Sequence, residues 1–221
     1  VNGNESQHEL WVVNPHPKIA AKIAYNAQSH WLPNEAYIYN SGLWNLQIDS
    51  FTFFEPVKKN MDLAAKRIAS SQVQIARPIH ISYQFKDSAA AARYIITMNG
   101  SPLPTAHEAG LLRTEAKTVG TFGLRKDETA PTLLDQANNK LDSLNNGAWT
   151  WILKDDFSGV ALYGCWQNGK WIPAYYDAKN QQLRAQFEVP FLPGTLIELK
   201  LKDAAGNERV IQRSMPLAPF K

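Results

Sequence analysis

The chain has 221 residues, 44% of them hydrophobic and 11% aromatic, with seven Trp, eight Tyr and nine Phe, a make-up that excludes a disordered protein. Lys and Arg exceed Asp and Glu by only three, and apart from Lys58-Lys59 and Lys66-Arg67 the basic residues are scattered, which argues against a nucleic-acid-binding surface. Cys165 is the single cysteine, so neither an internal disulfide nor a cysteine-built zinc site can form, and no apolar run reaches the ~18 residues of a membrane span.

The length suits two domains of roughly 100 to 125 residues, each with its own core. Val1 in place of Met, followed by a polar lead over 2–5, reads as a processed chain or an excised piece. Period-two alternation then recurs over 10–13, 18–25, 36–39, 46–54, 78–85, 93–98 and 119–125. It returns over 149–154, 159–166, 182–189, 195–202 and 209–212. The clearest run is 195–202, where Ile197, Leu199 and Leu201 oppose Glu198, Lys200 and Lys202. Short strands at this spacing with turn residues between them predict an all-β fold of two consecutive immunoglobulin-like β-sandwich domains. The stretch 133–144 has partial helical spacing broken by Asn138-Asn139, and reads either as a loop or as one short helix. The polar, Pro-containing bridge at 127–131 divides the chain into 1–126 and 127–221, with a lesser break near Pro56.

In the second half each interruption has a physical reason. Asn168-Gly169 suits a two-residue hairpin turn, whose central positions need positive φ, and should join the strands ending at Trp166 and beginning at Lys170. Asp203 and Asn207 can bond neighbouring amides while Gly206 takes a left-handed conformation, and Asp156 to Gly159 follows the same logic. Cys165, within the apolar run 160–166, reads as a small buried hydrophobe.

These motifs in series resemble the immunoglobulin-like domains that follow the catalytic domain in one group of bacterial lysostaphin-type (LytM-like) zinc endopeptidases, enzymes that cut peptidoglycan cross-bridges. The series is Asp-x-x-Ser-Gly, Asn168-Gly169-Lys170-Trp171, Tyr176-Asp177-x-Lys179 and Asp203-x-Ala205-Gly206-Asn207. Upstream, the run from Pro56 to Leu63 is similar to the entry into their preceding sandwich. Gly120 to Leu124 with Asp127 and Pro131 is similar to the join between the two. The resemblance covers roughly 56–213 and implies a periplasmic or extracellular, cell-envelope location. It carries over no catalytic residue. Such peptidases hold zinc with His-x-x-x-Asp and His-x-His, and none of His8, His16, His30, His80 or His107 stands in either pattern. The implied part is therefore the non-catalytic, accessory one.

Two binding constellations are legible. Asp127, Asp155, Asp156 and Asp203, with Asn207, are turn-makers that could together hold a hard cation, calcium if any, which takes six to eight oxygens. Trp149, Trp151, Trp166, Trp171, Tyr175 and Tyr176 lie in one domain, and flat rings stack on sugar faces. Most of the six are expected in the core, with Trp171 and Tyr176, beside turns, the ones expected at the surface. His107-Glu108, in a Pro-containing stretch, reads as ordinary exposed loop, and no Gly-x-Ser-x-Gly elbow exists.

The expected function is that of an accessory region, not an enzyme, that positions a peptidoglycan endopeptidase or binds the cell wall or a protein partner. The alternative is a free-standing carbohydrate-binding or adhesin-like module, whose partner is a glycan.

Overall fold

A computed structural model describes residues 29–69, 72–134, 148–187 and 194–214. The runs at 10–13 and 18–25 lie outside these residues, as do positions 135–144 of the stretch read as loop or short helix, whose first two residues, Leu133 and Leu134, are instead strand.

In chain order the first part contains β1 (His30–Trp31), β2 (Tyr37–Ser41), β3 (Trp44–Ile48), β4 (Val57–Lys58), β5 (Met61–Asp62) and β6 (Arg67–Ile68). It continues with β7 (Ile79–Gln84), β8 (Tyr94–Met98), β9 (Ser101–Pro102), β10 (Ala106–Glu108), β11 (Leu111–Ala116) and β12 (Gly120–Lys126). Two five-stranded antiparallel sheets result, ordered β10-β11-β7-β3-β2 and β5-β6-β12-β8-β9, while β1 and β4 pair apart from them. Residues of both sheets meet in one core, among them Leu46, Ile79, Ile81, Ile96, Leu112 and Phe122. The β10-β11-β7 and β9-β8-β12 neighbours follow the immunoglobulin order. The place beyond β12, which a later strand would fill in that order, is taken by the earlier β6. The chain is thereby released after Lys126 to enter the second sandwich directly.

That second sandwich comprises β13 (Thr132–Leu134), β14 (Ala148–Lys154), β15 (Val160–Gln167), β16 (Lys170–Ile172) and β17 (Ala174–Asp177). It is completed by β18 (Gln182–Gln186), β19 (Leu196–Asp203) and β20 (Glu208–Ser214). The sheets β13-β14-β18-β17 and β16-β15-β19-β20 reproduce the constant-type immunoglobulin arrangement with one added edge strand, β16. Its core is separate, built on Trp151, Leu153, Cys165, Leu183, Leu199 and Leu201. Burial pushes the Cys165 thiol up to about 12, consistent with an inert packing residue.

Local chemistry sets several elements as expected. Asn168 and Gly169 have φ of 47° and 81° and turn the chain so that Trp166 faces Trp171 and Gln167 faces Lys170. Two expectations are corrected. The strand expected over 46–54 stops at Ile48, because Phe51 takes a left-handed φ of 63° and donates its N–H to the Pro33 carbonyl. His107-Glu108 is not loop but part of β10, with His107 opposite Leu112, although both side chains are exposed.

Candidate functional site

Two features stand out: the joint between the sandwiches, and the solvent face of the sheet β16-β15-β19-β20.

The joint is organised by Asp127, the first residue after β12 and only 3% exposed. Its N–H donates to the Arg93 carbonyl in the first sandwich at 2.8 Å. Its Oδ1 accepts the Thr129 N–H and its Oδ2 the Ser158 N–H, both at 3.1 Å. Its carbonyl accepts the Asn207 Nδ2 at 3.0 Å. Above it the Arg125 guanidinium lies 3.9 Å from the Phe157 ring centroid. Asp155 Oδ2 accepts the N–H groups of Phe157 and Gly159 at 3.1 and 2.6 Å, which holds the loop against Asp127.

Of the five expected cation ligands, Asp127, Asp155 and Asp156 converge, with one oxygen of each within 4.8 Å of the others. Asp203 and Asn207 instead satisfy each other. The Asn207 N–H and Nδ2 donate to Asp203 Oδ1 and Oδ2 at 2.8 and 2.7 Å, closing the turn that Gly206 permits with φ 91°. One oxygen from each of the three supplies half or fewer of the six to eight that calcium takes. Asp155, Asp156 and Tyr176 also line a cavity of about 300 Å³.

Within this group Asp155 Oδ1 is buried with no hydrogen-bond partner. Burial raises the Asp155 carboxyl above the ordinary range; the Gly159 and Phe157 amides pull it down, and the charges of Asp127 and Asp203 push it further up. An acid raised in the folded state gives stability that is fully present below its unfolded value of about 3.9 and lost as pH rises through the folded value. Ionised Asp155 is therefore a liability at neutral pH. Asp155→Asn keeps an oxygen for both amides and removes the charge from a side chain clustered with Asp127 and Asp156. It is expected to raise Tm at pH 7 and to lose that advantage below about pH 4, as thermal melts at the two pH values will read. A lower Tm at pH 7 would overturn this account. A calcium-dependent rise in Tm seen in the wild type and absent from the variant would mark the three carboxylates as ion ligands.

The six aromatics divide by sheet face. Trp151 is 2% exposed, and Trp149, half-buried, stacks on it with centroids 5.2 Å apart against the core. The two share a strand face, as period two requires, but it is the inner one. Tyr176, expected at the surface, is half-buried against the core beside Tyr163, while its neighbour Tyr175 is 69% exposed.

Trp171 is 59% exposed and stands on the outer face directly opposite Trp166. The six-membered ring of the Trp166 indole lies against Gly164, where a Cβ would meet ring atoms at 2.4 and 2.6 Å, and Lys200 Nζ lies 4.7 Å from its centroid. Trp166 is thus the floor and Trp171 the open ring. The row continues along β15 to Leu162, 63% exposed. Beside it runs a polar ladder. Glu198 accepts from Gln212 at 2.7 Å and pairs with Lys200 at 3.3 Å, and Lys202 pairs with Glu208 at 2.9 Å.

Fold and site together define the class: an all-β protein of sandwiches carrying a solvent-facing aromatic platform flanked by hydrogen-bonding side chains. No protein-family model matches the chain, and no curated protein matches it. Among the described residues no helix is long and apolar enough to cross a membrane.

Proposed function

We propose that this chain is a non-catalytic binding unit of the bacterial cell envelope, in which the second sandwich holds a glycan of the cell wall on Trp171. The observation that carries this reading is the Trp166–Trp171 pair on the outer face, supported from below by Gly164 and edged by Glu198, Lys200 and Gln212. An open indole beside fixed polar groups suits a sugar, whose flat apolar face stacks while its hydroxyls find donors and acceptors. The cell-envelope assignment is supported by the ordered motif series of the second half. The bonds of Asp127 to both sandwiches support a positioning role, because they couple the platform to the first sandwich at a set angle.

Co-sedimentation with purified peptidoglycan sacculi tests this reading. The wild-type chain is expected to pellet at physiological salt, and Trp171→Ala, whose ring is mostly in solvent, is expected to remain folded and stay in the supernatant. Equal pelleting of both proteins, or no pelleting of either, would remove the basis for it.

A further inference from the structure

The outer row of β15 does not end on open surface. Leu162, at its far end, is also part of the wall of a crevice of about 470 Å³ between the sandwiches, together with Ala161 and Lys202. The opposite wall is formed by Arg93, His107 and Glu108 of the first sandwich. From Trp166 to Leu162 the strand covers about 13 Å at about 3.3 Å per residue, so an extended ligand stacked on the tryptophans reaches the crevice. Clefts at domain interfaces are favoured ligand sites.

The charges there are unequally committed. Glu108 pairs with Arg113 at 3.6 Å, Asp203 is buried and bonded to Asn207, and Lys202 pairs with Glu208. His107 Nε2 is bonded to the Tyr94 carbonyl at 2.8 Å. Arg93, exposed and set by a left-handed φ of 68°, makes no ion pair or side-chain hydrogen bond among the described residues and acts only through space on Glu128, which has its own partner in Lys126. Among the described residues its guanidinium is the crevice cation with no carboxylate in contact, and its planar fork suits one.

We propose that the ligand is an acid-bearing glycan chain whose sugars run from Trp171 along Leu162 and whose carboxylate is held by Arg93 in the crevice. This rests on the reading of Trp171 as the stacking ring, and adds the charge of the ligand and the contribution of the first sandwich.

Calorimetric titration of the whole chain with tetragalacturonate and with neutral chitotetraose separates the two ideas. Tetragalacturonate is expected to bind more tightly and to weaken as salt rises from about 0.05 to about 0.5 M, with chitotetraose little affected. Arg93→Gln is expected to lower tetragalacturonate affinity about tenfold and leave chitotetraose unchanged. Arg93→Asn, which suits the left-handed backbone, should repeat that loss in a protein whose fold is undisturbed. Trp171→Ala is expected to weaken both ligands. Equal affinity for the two sugars with Arg93→Gln silent would overturn the acid-recognition proposal and leave glycan binding standing. Failure of both sugars to bind would overturn it together with the reading it rests on.

Discussion

Asp127→Ala is expected to lower stability by about 2–4 kcal/mol and to loosen the hold of the joint on the second sandwich. The substitution deletes both side-chain acceptors, so the N–H groups of Thr129 and Ser158 lose their partners. Each such loss costs about 1–3 kcal/mol where water cannot fully replace the bond. Asp127 keeps its backbone bonds to Arg93 and Asn207, so the effect falls on the loop opening the second sandwich. Small-angle scattering should show a larger maximum dimension for the variant, and chemical denaturation a lower midpoint. A variant with the wild-type scattering curve would mean that the Arg125–Phe157 contact and the backbone bonds hold the joint by themselves.

Trp151→Ala and Trp171→Ala are expected to differ sharply although both remove an indole from the same domain. Trp151 fills the second core beside Leu153 and Leu183 and supports Trp149, so its loss leaves a large cavity and costs about 3–5 kcal/mol. Trp171 covers little, and its removal should change stability by no more than about 0.5 kcal/mol while removing the proposed sugar platform. Thermal melts of the two variants read the contrast. Similar losses at both positions would mean that Trp171 supports the edge strand β16 and is not a surface ring.

The outward turn of Trp166 is harder to read from the chain than the exposure of Trp171, which its turn predicts. Alternation groups residues by face but does not say which face is covered, and the run over 160–166 is apolar on both sides. Trp166, one residue from the buried Cys165, therefore gave no sign of facing solvent; its signal was Gly164, the only residue that lets an indole lie against the strand. Strand β11 is likewise not legible in the alternation. Its inward positions are Leu112, Thr114 and Ala116, so only one large apolar side chain marks the buried face. Neither Arg93 nor Leu162 could be linked to a site, since the crevice they share exists only where two domains meet.

The all-β class, the hairpin at Asn168-Gly169 and the turn from Asp203 to Asn207 are legible in the sequence alone. These follow from period-two patterning, from positive φ at Asn and Gly, and from side chains bonding amides a few residues away, all of them local. The exposure of Trp171 is expected from the turn beside it; the assembled fold adds that Trp149 and Trp151 turn inward while Trp166 turns outward, that Asp127, Asp155 and Asp156 converge, and that Asp127 reaches Ser158 across 31 residues. Burial and long-range hydrogen bonding depend on which sheet packs over which face, and that is a property of the assembled sandwich that no single segment carries.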